Sequence, residues 1–101
     1  MKQYKIYLGL TTGDGLVQIP FNSAVLTVMK LMKDTGLSGA TCYASDGIWE
    51  SEQEKSLVAE FIQGDSEHIQ DSITLIAKSL KSFYKQNSVL ITSQDIEVWE
   101  A

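Results

Sequence analysis

The densest collection of reactive side chains is the segment from Cys42 to Lys55, which reads Cys-Tyr-Ala-Ser-Asp-Gly-Ile-Trp-Glu-Ser-Glu-Gln-Glu-Lys. It gathers a Trp, a Tyr, an Asp and three Glu into fourteen positions, with no basic residue before Lys55. Carboxylates hold positive charge, and ring faces attract a cation or stack on a flat base, so this composition suits a small cationic, partly planar ligand. The segment lies between two strand-like stretches and is longer than a tight hairpin needs, so it reads as a binding loop. The competing reading is a solvated acidic loop with Trp49 folded back onto a sheet.

Other groups offer less. Gly13-Asp14-Gly15 could bring backbone close to a phosphate, but it lacks the Lys-Ser/Thr of a phosphate loop, and a turn explains it. Cys42 is the only cysteine and His68 the only histidine, so no internal disulfide and no usual zinc site can form. His68 falls in the first turn of a helix, where the helix dipole disfavours its protonated form. Glu52 and Glu54 could share Mg²⁺, but nothing nearby completes such a site, and neither a metal nor a cofactor is expected.

The elements that must position these residues come from a chain of 101 residues, 44% hydrophobic and 21% charged, the balance of one globular domain spanning residues 1–101. A chain this short buries only about two-thirds of its unfolded surface, so self-association would help it. Thirteen acidic against eight basic residues give a net charge of −5, the wrong sign for a nucleic-acid partner. No stretch approaches the roughly twenty apolar residues of a membrane span, and no signal peptide is evident. A soluble protein of the reducing cytoplasm, with no membrane partner, is expected.

Residues 4–10 alternate, with Tyr4, Ile6, Leu8 and Leu10 on one side, as a strand with one covered face does. Asp14-Gly15 marks a reversal, and residues 16–19 read as a short return strand. Phe21, Val25, Val28, Met29 and Met32 then draw a helical stripe, predicting a helix over 23–35 with Met29 and Met32 in the core. Asn22 or Ser23 would cap it, and Gly36 suits the left-handed residue beyond its end. Strands are predicted over 39–44 and 56–62. After the cap residues Asp65 and Ser66, the stripe Ile69, Ile73, Ile76, Leu80 and Phe83 predicts a helix over 67–86. An apolar strand over 89–92 closes the series, with Ile96, Val98 and Trp99 after the polar break Ser93-Gln94-Asp95. The order βαββαβ is that of an α+β ferredoxin-like sandwich, an antiparallel sheet covered on one face by two helices. Its uncovered face would be closed most simply by another copy of the same sheet.

Cys42-Tyr43, ten intervening residues and then Glu54-Lys55 resemble the equivalent segment of the phage enzymes that degrade S-adenosylmethionine, first described as hydrolases and now regarded as lyases. Gly36-Leu37-Ser38-Gly39, the helix over 67–84, Val89-Leu90 and Ser93-Gln94 fall where that family has similar residues, so the resemblance spans about Val28 to Gln94. It implies a PII-like homotrimer in a phage host's cytoplasm, with the substrate S-adenosylmethionine held between subunits. Its own carboxylate would displace 5′-methylthioadenosine and leave homoserine lactone. Such a displacement needs positioning and exclusion of water, with no metal or nucleophile from the protein. Glu54, matching the family's key glutamate, would hold the ammonium or sulfonium; otherwise it is an exposed glutamate paired with Lys55 or Lys81. Tyr43, matching the family's tyrosine, would press its ring and hydroxyl on the substrate; otherwise it is a cross-strand aromatic. Trp49 is a candidate for stacking on adenine, or core, while Ser45, Glu50 and Ser56 are polar neighbours within reach. The alternative is a non-enzymatic PII-like module that binds an adenine nucleotide or a partner protein, against which the lack of Lys and Arg from Cys42 to Glu54 counts.

Overall fold

The computed structural model describes residues 1–64 and 66–101, with Trp49 described for its backbone alone. Six elements follow in the order β1 (Lys2–Gly9), α1 (Phe21–Lys33), β2 (Thr41–Trp49), β3 (Glu52–Gln63), α2 (Glu67–Phe83) and β4 (Leu90–Asp95). The strands form one antiparallel sheet in the order β2-β3-β1-β4, the arrangement expected of the ferredoxin-like α+β sandwich. Among the described residues no helix is long and apolar enough to cross a membrane.

Alternation along the two central strands decides which face is covered. Tyr4, Ile6 and Leu8 of β1 and Leu57, Ala59 and Phe61 of β3 are buried on one face. They pack against Ala24 and Val28 of α1 and Ile73, Ile76, Ala77 and Leu80 of α2. The α2 stripe from Ile69 to Leu80 therefore sits where its period put it, whereas Phe83 at its end is 68% exposed, and Ser66 accepts a hydrogen bond from the Ile69 amide as the N-cap. Asp65, read as a second cap residue, lies outside the described residues. The helix stops at Phe83, short of 86, because Lys85 takes a left-handed φ of 54° and turns the chain.

Helix α1 begins at Phe21, the first residue of its stripe, two residues before the predicted start at 23. Pro20 stands at its N-cap with φ −62°, and no side chain caps the end, so Asn22 and Ser23 lie inside the helix. Proline is preset for such a start, and beginning at Phe21 brings that ring against the core. Met29 is 52% exposed on the outer side, whereas Met32 packs against the core. Gly36, with φ +77°, supplies the left-handed residue beyond the helix end.

The largest correction concerns Cys42 to Lys55, which is no loop. Strands β2 and β3 run through it in unbroken register from Thr41 opposite Glu60 to Trp49 opposite Glu52. Glu50 and Ser51, at φ 48° and 67°, make the whole turn. Two left-handed residues match the twist of a hairpin, but this geometry normally advertises itself with Asn-Gly or Asp-Gly. The expected return strand over 16–19 reduces to one bridge between Thr11 and Gln18, flanked by bonds from Ile19 N to Leu10 O and Thr12 N to Val17 O, both 2.8 Å. Strand β4 runs through the presumed break, since Ser93, Gln94 and Asp95 pair with Tyr4, Gln3 and Lys2.

On the other face, register places Leu90, Tyr7, Val58 and Tyr43 in one row across all four strands. Val58, between the two tyrosines, is 1% exposed although no helix covers it. Leu90 and Tyr43 at the ends of the row remain exposed.

Candidate functional site

The β2–β3 hairpin extends past the end of β1, whose last paired residue, Gly9, lies opposite Ser56. Beyond it the chain turns through Thr11–Gly15, and the segment after α2 returns alongside, fixed by the Gly13 amide donating to Lys85 O at 2.8 Å. Between hairpin, turn and post-helix segment lies an open cleft of about 1140 Å³. Tyr7, Gly9, Ser45, Glu54, Ser56 and Gln86 are among its lining residues.

Strand alternation sets the direction of each side chain. Val58, Ser56 and Glu54 share the uncovered face of β3, as do Tyr43 and Ser45 on β2, and Tyr7 and Gly9 on β1. Ser45 pairs directly with Ser56, and Glu54 with Gly47. From there the Glu54 side chain reaches across to Gly9, where an added Cβ would fall on its Oε1. Gly9 has no left-handed φ, so its lack of a side chain provides space, not backbone freedom.

Glu54 is exposed and, among the described residues, makes no hydrogen bond or ion pair. Lys55, one competitor for it, pairs with Asp46 at 3.3 Å from the opposite side of the ribbon. A carboxylate is thus left open to the cleft with no cation to neutralise it. Gln86 approaches the same point from the far wall, its Oε1 3.2 Å from where a Gly9 Cβ would stand. The turn is ordered by Asp14, which accepts hydrogen bonds from Thr12 Oγ1 and Leu16 N; these hold its carboxyl below the ordinary carboxylate range.

Of the sequence candidates, Glu54, Ser45 and Ser56 line this cleft, and Tyr43 and Glu50 do not. Tyr43 lies two residues from Ser45 on the same face, beside Val58, and Glu50 forms the hairpin turn. The Trp49 side chain lies outside what is described. Sequence reasoning missed Tyr7, Gly9 and Gln86. Tyr7 and Gly9 stood on the polar side of the first strand's alternation, but nothing local tied either one, or Gln86, to Glu54. His68 is exposed on the first turn of α2, away from the cleft.

No family model matches the chain, and no curated protein matches it in sequence. Among solved structures, a phage SAM lyase in complex with S-methyl-5′-thioadenosine superposes at TM-score 0.80 with 21% identity, over 93% of this chain and 80% of the other. A phage SAM lyase in its apo state gives the same TM-score at 23% identity, over 92% of this chain and 78% of the other. The chain has the phage SAM lyase fold. A de novo designed protein, Foldit4, is similar at TM-score 0.56 and 11% identity, over 95% of this chain and 98% of the other. That lower likeness reflects the sandwich in general, whereas the phage SAM lyase fold is matched far more closely. Since one fold serves many functions, activity has to be argued from the cleft.

Proposed function

We propose that the protein is an S-adenosylmethionine lyase, a carbon–sulfur lyase that converts S-adenosylmethionine to 5′-methylthioadenosine and L-homoserine lactone. The observation that carries this reading is the unneutralised Glu54 carboxylate over Gly9, in a cleft large enough for a nucleoside joined to an amino acid, on a fold shared with phage SAM lyases.

In the reaction, one oxygen of the substrate's carboxylate attacks its Cγ. The Cγ–S bond breaks and its electron pair stays on sulfur, giving a neutral thioether. The carboxylate loses its negative charge as the lactone closes, the sulfonium loses its positive charge, and the ammonium is unchanged. No proton moves and no co-reactant enters, so the protein's contribution is geometric and electrostatic.

That charge balance assigns Glu54. A carboxylate against the sulfonium would stabilise the ground state more than the transition state, in which that charge is vanishing, and would slow the reaction. Held against the ammonium, whose charge persists, Glu54 anchors the substrate without this cost. Ser45 and Ser56 offer hydroxyls to the amino-acid end from the adjacent pair of strands. Tyr43, Glu50 and Trp49 would take part where a neighbouring subunit closes the site, in a homotrimer of single-domain chains acting in a phage host's cytoplasm. Tyr43 would then place its ring and hydroxyl against substrate, with Trp49 on adenine. Among the described residues Lys55 is the one basic residue lining the cleft and is tied to Asp46, a poor provision for a nucleotide's polyphosphate.

The test is incubation of the pure protein with S-adenosylmethionine while 5′-methylthioadenosine and homoserine lactone are followed by chromatography. Both products in equal amounts support the lyase; unchanged substrate at high protein concentration rejects it.

A further inference from the structure

The wall opposite Glu54 carries a second acceptor for which the reading so far has no use. Gln86 lies just past α2, held by its backbone amide donating to Lys81 O at 2.9 Å, and its side chain is half-buried. Its Nε2 donates to Thr11 O at 2.9 Å and to Tyr84 O at 3.3 Å. With the nitrogen on two backbone carbonyls, the end of the amide that faces the cleft is assigned as its oxygen. That oxygen is turned to the space above Gly9 already bordered by the Glu54 carboxylate. Among the described residues no donor reaches either oxygen. Both unpaired oxygens thus lie beside Gly9 within a few ångströms of each other, an arrangement that repels until a multiple donor bridges them from the cleft.

We propose that Gln86 is the second acceptor for the substrate's α-ammonium, so that the cleft selects a sulfonium amino acid carrying a free ammonium over one without it. This rests on the lyase reading above. An ammonium offers three N–H donors in diverging directions, enough for both oxygens, whereas a sulfonium offers charge but no N–H. The same acceptor pair repels the substrate's carboxylate. It turns that group away along the chain, toward the carbon it must attack. Gly9, lacking a side chain, lets both oxygens stand beside its backbone, and the Gly13–Lys85 hydrogen bond keeps the Gln86 wall in place.

The experiment compares S-adenosylmethionine with its deamino analogue, in which hydrogen replaces the ammonium, on the wild type, Gln86→Met and Gln86→Lys. Wild-type turnover of S-adenosylmethionine reports on the lyase reading itself; its absence overturns that reading and this proposal together. With turnover present, Gln86→Met is expected to lose about tenfold or more in kcat/KM on S-adenosylmethionine and little on the deamino analogue. Equal fractional losses on both substrates mean that Gln86 only supports the wall, and they overturn the proposal while leaving the lyase intact. Gln86→Lys places an ammonium of the protein's own beside Glu54. It is expected to melt no lower than the wild type and yet to bind S-adenosylmethionine at least tenfold more weakly; unchanged binding in a folded Gln86→Lys protein also overturns the proposal.

Discussion

The Glu54 carboxylate lies over the Cα of Gly9, in the space that any other residue's side chain would take. The two belong to different strands and are paired to other partners, Glu54 to Gly47 and Gly9 to Ser56, so their approach is diagonal across the sheet. One residue supplies charge and the other supplies room, and the cleft needs both.

The room can be removed without disturbing the backbone. Gly9→Ala is compatible with a strand conformation, and the atom it strikes is the mobile end of an exposed side chain. The melting temperature should move by no more than about 2 °C, while turnover of S-adenosylmethionine falls on the order of tenfold or more as Glu54 is displaced. Calorimetry and steady-state kinetics on the same preparation check this. Unchanged kinetics would mean that the Glu54 position over Gly9 is irrelevant to the reaction.

Glu54→Gln keeps shape and removes charge. Since Glu54 has no partner among the described residues, stability should be unaffected, and kcat/KM should fall on the order of a hundredfold because the ammonium loses its counter-charge. A Glu54→Gln protein as active as the wild type would remove Glu54 from the mechanism even if the activity is real.

Much of this architecture was legible in the sequence. The 3.6-residue stripe of α2, with Ser66 before it, and the alternation of Tyr4, Ile6 and Leu8 each had one covered face to report, and the element order followed. The hairpin was not legible, for a physical reason. Beyond the helices both faces of the β2–β3 ribbon meet solvent, so Asp46, Glu52, Gln53 and Glu54 carry no alternation, and Glu50-Ser51 adopts left-handed geometry without the residues that announce it. The site was legible only by half: the Glu54 side stands in one reactive segment, whereas Gly9 and Gln86 reach it through strand pairing and a helix terminus.

The uncovered sheet face bears on assembly. Leu90 is 60% exposed in the single chain, at the end of the row formed with Tyr7, Val58 and Tyr43. Leu90→Asp should leave a monomer's fold intact but prevent that face from packing on a neighbour, and light scattering should then show one chain for the variant against the three expected of the wild type. A mass of three chains in the variant would place the contact elsewhere.

The turn beside the cleft has a pH response of definite sign. Asp14 is held below the ordinary carboxylate range by its bonds from Thr12 and Leu16, so its support for the turn is complete above that range and is lost as pH falls through the lowered value. Amide exchange at Leu16, corrected for its intrinsic pH dependence, should therefore accelerate only on strong acidification. Acceleration between neutrality and pH 5 would contradict the assignment.

In the proposed reaction the substrate's carboxylate, and not water, breaks the carbon–sulfur bond. The reaction run in ¹⁸O-labelled water tests it most directly, by locating the label in homoserine after the lactone has opened. Intramolecular attack predicts an unlabelled γ-oxygen, since lactone opening by water at the carbonyl places ¹⁸O in the carboxylate. Label on the γ-hydroxyl would show direct hydrolysis and rule out intramolecular attack.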